Sequence, residues 1–159
     1  GPGHWNDADM IVAGLKGGSL TEDESKSHFA IWSILASPLI MSNDLRELPD
    51  WAVKILRNKE IIAVDQDVMG KQGIRVTPFE ENRSVWVRPL ANGDFAVALH
   101  NHGDSVVDIP FNFGLIGGVM KYSIRDLYEH TELGVFENSY VAKSVPIHGV
   151  QMLRITPVA

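Results

Sequence analysis

The chain has 159 residues, is 45% apolar and 21% charged, and carries a net charge of −6, the balance of an ordinary globular protein. That acidic balance, with no two basic residues adjacent, excludes a phosphate-binding surface, so nucleic acid is not an expected partner. The absence of cysteine excludes disulfides, thiolate zinc sites and a cysteine nucleophile. The longest apolar run, residues 30–41, is broken by Ser33, Ser37 and Pro38 and falls short of the ~20 residues that cross a bilayer, so no membrane partner is expected.

The first informative segment is Trp5-Asn6-Asp7-Ala8-Asp9-Met10. Carboxylates hydrogen-bond well to paired sugar hydroxyls, and an aromatic face covers the C–H side of a pyranose. If the segment is extended, Asp7 and Asp9 point to one side and Ala8 to the other. Two readings stand: a saccharide-facing loop at the C-terminal end of a barrel strand, or an Asx-rich turn in which Asn6 and Asp7 only bond nearby backbone amides.

Thr21-Glu22-Asp23-Glu24 reads as a capping box opening a helix, with Phe29, Trp32, Leu35 and Ala36 forming its apolar stripe and Pro38 ending it. Leu39-Ile40-Met41 is apolar at every position and reads as a strand covered on both faces. Pro49 and Asp50 begin a second helix through about Arg57, with Trp51, Ile55 and Leu56 inward. Residues 10–13 follow a strand end in the same way. Strand, helix, strand, helix is the order of the last two units of a (β/α)8 barrel, an α/β arrangement assigned to residues 1–70.

The period changes to two from Ile74, after Gly70-Lys71-Gln72-Gly73, which reads as a linker. Residues 84–88, 95–99, 105–109, 122–125 and 149–155 read as short strands, with Pro89 closing the first. Turns fall at residues 92–94, 101–104 and 117–118, and Asn92-Gly93 suits a two-residue hairpin. Residues 74–159 are therefore expected to form an all-β, antiparallel β-sandwich domain.

Other features read as structural. His100 and His102 could share a face, but no third ligand lies nearby, and no metal is expected. His148 reads as a turn residue, and Trp32, Trp51 and Trp86 as core. Asn82-Arg83-Ser84 is an N-glycosylation sequon in a polar turn.

Several segments in one register carry a resemblance. They are GPGHWNDADM (residues 1–10), SHFAIW (27–32), ASPLIMSNDLR (36–46), IIAVDQD (61–67), GKQG (70–73), SIRDLY (123–128) and PIHGV (146–150). In this order they resemble glycoside hydrolase family 27, the α-galactosidases and α-N-acetylgalactosaminidases. Gly1 and Pro2 run directly into that register, so they read as native sequence and not as a cloning scar.

The resemblance implies the C-terminal portion of a TIM barrel followed by a β-sandwich. It also implies a retaining exo-α-galactosidase acting on terminal α-D-galactosyl residues without a cofactor. The family's nucleophile and acid/base are aspartates on earlier strands, so no catalytic residue is expected in this chain, and the fragment alone is expected to be inactive. Asp9, Met10 and Trp5 are the expected substrate contacts, with Asn6 and Asp7 supporting the site. His4 and Ala8 stand where the family has Gly and Pro, which leaves the sugar open between galactosides, N-acetylgalactosaminides and β-L-arabinopyranosides. A non-catalytic carbohydrate-binding module is the remaining alternative. The family is usually secreted, lysosomal or vacuolar, so Asn82 is an expected glycan site. The substrate is the expected partner, with homo-oligomerisation left open.

Overall fold

Three helices, α1 (Glu22–Leu35), α2 (Asp50–Leu56) and α3 (Lys59–Asp65), precede the strands in the computed structural model. It describes residues 1–18, 20–78, 82–117 and 120–158. The capping box forms as expected. The Thr21 hydroxyl accepts from the Glu24 amide at 3.2 Å, and a Glu24 carboxylate oxygen accepts from the Thr21 amide at 2.7 Å. Ala36 ends α1 in a left-handed conformation, φ 55°, ahead of Pro38. The buried face of α1 differs from the expected stripe: Ser25, Phe29, Ala30, Ser33 and Ile34 are covered, while Leu35 is only half-buried. Small residues belong there because α1 is packed from two sides, by α2 and α3 and by the sheet described below.

Ile11 and Met41 form a single parallel bridge, with Ile11 N–H donating to the Ile40 carbonyl at 2.7 Å and Ser42 N–H to the Ile11 carbonyl at 3.1 Å. With α1 as the crossover, this is a β–α–β unit of the barrel type. The run at residues 39–41 does not form the doubly covered strand expected of it. Ile40 is 57% exposed and Met41 40% exposed. A covered parallel strand needs neighbours along both edges, and among the described residues only Ile11 pairs with it. Residues 10–13 likewise enter this pairing at Ile11 instead of following a strand end.

The C-terminal part holds strands β1 (Ile74–Arg75), β2 (Arg83–Pro89), β3 (Phe95–Asn101), β4 (Val107–Asn112), β5 (Lys121–Asp126), β6 (Thr131–Glu137), β7 (Ser139–Val145) and β8 (Val150–Pro157). Six strands form an antiparallel sheet in the order β1-β2-β3-β8-β5-β6, faced by the two-stranded sheet β4-β7. Between them lies a core containing Val85, Val97, Leu99, Phe111, Phe113, Tyr122, Ile124, Leu153 and Ile155. The β-sandwich expectation holds, but β1, β6 and β7 were not legible as strands, and residues 105–109 shift to Val107–Asn112. Pro110 sits inside β4, where a two-stranded sheet leaves each strand with an unpaired side that needs no donor.

One expected turn is revised. The β2–β3 hairpin uses five residues, 90–94, because Leu90 N–H bonds the Asp94 carbonyl at 2.9 Å and only Gly93, φ 89°, has positive φ. A two-residue turn of the expected type needs positive φ at Asn92 as well. The 117–118 turn keeps Gly117 at φ 73°, while Gly118 lies outside the described residues.

The large sheet is covered on its second face too. Along β3, Val97 and Leu99 face the small sheet, while Ala96 and Ala98 join Phe29, Ala30, Ile34, Ile61 and Met152 in a second core under α1 and α3. Alanine at alternate positions lets the helix approach the sheet closely. Polar groups then bind the layers. Buried Arg88 of β2 donates to the Ser33 and Asp65 carbonyls at 2.5 and 3.1 Å, near the C-terminal ends of α1 and α3. Asn58, the cap of α3, donates to the Leu127 carbonyl at 2.7 Å. Gly70–Gly73 is no free tether, since Gly73 N–H donates to the Ile34 carbonyl at 2.7 Å and β1 starts at the next residue.

Candidate functional site

The opening segment is shaped by two turns. Gly1-Pro2-Gly3-His4 is closed by His4 N–H on the Gly1 carbonyl at 2.8 Å, with Gly3 at φ 83°, as a turn with Pro then Gly at its centre demands. This brings Pro2 and Trp5 over Gly70, φ 60°, where an added Cβ would lie 2.8 Å from Pro2 Cγ and 3.0 Å from the indole Cη2, so the position calls for glycine. Trp5 remains 47% exposed and lines a cleft of about 510 Å³ with Pro38, Gln66 and Val68. Asn6 leaves the segment sideways, its amide donating to Gln72 Oε1 at 2.8 Å.

The second turn is at the carboxylates. Asp9 has φ 71°, so the segment is not extended there and the expected same-side alternation of Asp7 and Asp9 does not apply. Asp7 Oδ1 accepts from the Asp9 amide at 2.9 Å, and Asp9 Oδ1 accepts from the Met10 amide at 2.7 Å. Asp7 thus closes an Asx turn around Asp9. Asp9 itself is exposed, and among the described residues its Oδ2 has no hydrogen-bond partner. Met10 beside it is 50% exposed. Asp9 and Met10 therefore present one acceptor oxygen and one thioether to solvent immediately before the buried Ile11.

Trp32 enters this site from α1. It is half-buried, its indole N–H donates to the Asp9 carbonyl at 2.8 Å, and its ring stacks on His28 with centroids 4.0 Å apart. Sequence spacing placed Trp32 on the apolar face and missed this bond. The signal available was the residue type, since a tryptophan at the edge of a core usually finds a partner for its N–H.

Behind this helix, Leu20, Glu24, His28, Trp32, His100 and His148 line a cleft of about 340 Å³. His148, φ 53°, ties the β7–β8 turn to α1. Its Nδ1 lies 3.0 Å from Glu24 Oε1, and its carbonyl accepts from the Ser27 hydroxyl at 2.6 Å. Burial, reinforced by the neighbouring His102 and His148, pushes His100 down to about 4. Burial also lowers His28, whose Nε2 has no partner among the described residues. His100 and His102 lie with ring centroids 5.6 Å apart, but among the described residues no group of three or more His, Cys, Asp or Glu could hold a metal ion. Asn82 is exposed in the bend before β2, while Ser84 of its sequon is buried.

Family comparison matches residues 1–67 to a domain described as alpha galactosidase A, and residues 80–155 to the alpha galactosidase C-terminal beta sandwich domain. The chain is 34% identical to "Alpha-galactosidase A" of Cellvibrio japonicus, over 99% of this chain and 40% of that protein. It is 38% identical to "Probable alpha-galactosidase" of Dictyostelium discoideum, over 99% of this chain and 41% of that protein. The crystal structure of alpha-galactosidase I from Mortierella vinacea superposes with a TM-score of 0.89 at 32% identity, over 98% of this chain and 40% of that one. The chain thus spans about 40% of the length of these relatives.

Proposed function

The chain belongs to the α-galactosidase family, glycoside hydrolase family 27, and from that premise we propose that the protein carrying it is a retaining exo-α-galactosidase. Its substrates are terminal α-D-galactosyl residues of oligosaccharides or glycoconjugates. The observation that carries this reading is the presentation of Asp9: an exposed carboxylate with a free oxygen, held at a left-handed residue by Asp7 and Trp32. Such a group is a charged acceptor for sugar hydroxyls. Met10 packs beside it, and Trp5 offers an exposed aromatic face. Asn6 and Asp7 shape the loop and leave substrate to their neighbours.

Retaining chemistry needs two carboxylates set ~5 Å apart, one as nucleophile and one as acid/base. We assign both to the part of the family fold that this chain does not span, with residues 1–70 as barrel and 74–159 as the sandwich domain. The 159-residue chain alone is then inactive on nitrophenyl α-galactoside. In the full-length protein, Asp9→Asn lowers kcat/KM by an amount equal to about 2–4 kcal/mol of transition-state binding, the size of a charged hydrogen bond to a sugar hydroxyl. A kcat/KM within twofold of the parent removes Asp9 from the site.

The family's secreted, lysosomal or vacuolar members make Asn82 a glycan site in a eukaryotic secretory host. Peptide mass analysis reads it directly, and an unmodified Asn82 from such a host refutes the assignment.

A further inference from the structure

We infer that Trp32 is the positioning residue for Asp9, its indole N–H fixing the Asp9–Met10 peptide so that the carboxylate meets the sugar in one orientation. This rests on the reading of Asp9 as a substrate contact.

Three observations carry it. Asp9 is a non-glycine residue at φ 71°, a conformation that an aspartate tolerates but does not hold without support. Its other hydrogen bonds are local: Asp7 Oδ1 takes its amide, and its own Oδ1 takes the amide of Met10. Those bonds define the shape of the turn, while Asn6 on Gln72 and the Ile11 pairing hold only its two flanks and leave the Asp9–Met10 peptide itself to be fixed from α1. The bond from Trp32 to the Asp9 carbonyl spans 23 positions of sequence and ties the turn to α1. A fixed carbonyl fixes the following peptide plane, and with it the Met10 amide on which Asp9 Oδ1 rests.

Trp32 is itself held in place. It packs against the second core on one side, and His28, one helical turn earlier, stacks on it at an interplanar angle of 25°. The His28 ring takes part through its face, and among the described residues its Nε2 has no hydrogen-bond partner. Indole rotation, which would break the bond to Asp9, is opposed by contact on either side.

A double-mutant cycle on the full-length protein tests the inference. Trp32→Phe keeps an aromatic ring for the stack and removes the N–H. Replacement of Trp32 by benzothienylalanine keeps the bicyclic shape and removes only the donor, so it serves if the phenylalanine variant fails to fold. The expected result is a fall in kcat/KM for nitrophenyl α-galactoside of about tenfold, the loss of one well-made hydrogen bond to a group that orients the transition state. Inhibition by free galactose weakens in parallel, while the urea midpoint of the folded protein stays put. In the Asp9→Asn background the same substitution changes kcat/KM less than twofold. A full tenfold loss in that background, or no loss in the parent background, makes Trp32 a packing residue and overturns the inference alone. A neutral Asp9→Asn overturns the inference together with the site reading on which it rests.

Discussion

Arg88 offers the sharpest test of how the helices are fastened to the sheet. Its side chain is fully buried, and its guanidinium donates to the Ser33 and Asp65 carbonyls. These belong to the last turns of α1 and α3, which carry no basic residue of their own. A cation from β2 thus serves two helix C-termini at once. Burial lowers the Arg88 pKa and raises that of Asp65, so neither charge is well solvated.

Arg88→Met keeps the volume but leaves the Asp65 carbonyl without this donor and the Ser33 carbonyl with only the Ala36 N–H, at 3.3 Å. Losing two hydrogen bonds made by a buried cation costs about 3–5 kcal/mol. Asp65→Asn is expected to cost under about 1 kcal/mol, because Arg88 bonds the Asp65 backbone and not its carboxylate. The assay is urea unfolding followed by tryptophan fluorescence, comparing midpoints at unchanged slope. An Arg88→Met loss below about 1 kcal/mol, or an Asp65→Asn loss as large as that of Arg88→Met, refutes the reasoning.

Two pH effects follow from the same junction. His100 titrates at about 4 in the fold against 6.5 when free, so the unfolded chain binds more protons between those values. Stability therefore falls as pH drops from 6.5 toward 4, by about 3 kcal/mol at full extent, and His100→Gln flattens that slope in urea midpoints taken at pH 7 and 4.5. Equal slopes in parent and variant refute it. Glu60 behaves oppositely in origin: hydrogen bonds from Arg125, aided by His130, hold it at about 2 against 4.5 when free. Its contribution is complete above pH 4.5 and is lost as pH falls to 2. Both side chains of the pair remain about 30% exposed, so solvent screening reduces that contribution to about 1–2 kcal/mol. Glu60→Gln removes it at pH 7 and changes nothing at pH 2; equal losses at both values count against the pairing.

The local pieces and their order follow from the amino-acid sequence alone. The capping box at Thr21, the stop at Pro38 and the alternation in 84–88 and 95–99 are set by nearest neighbours along the chain, and the structure keeps them. The order of the motifs likewise resembles that of a barrel followed by a sandwich. Strands β6 and β7 escaped because β6 buries none of its residues and β7 pairs through an irregular register with β4, so neither shows a clean alternation.

Which distant groups meet depends on how the elements dock. Alternation along β2 puts Ser84, Trp86 and Arg88 opposite Val85 and Val87, on a face that an isolated sandwich would expose. Packing of α1 and α3 over that face turns Arg88 into the most deeply buried charge among the described residues. The same holds at Asp9. Its residue type permitted a sugar contact or a simple turn, and the structure shows the turn, tied to α1 by Trp32, together with a carboxylate oxygen that has no partner among the described residues. Periodicity reports the environment of one element averaged over its length. A single hydrogen bond across 23 residues leaves no trace in it, because that bond exists only once the helix has docked.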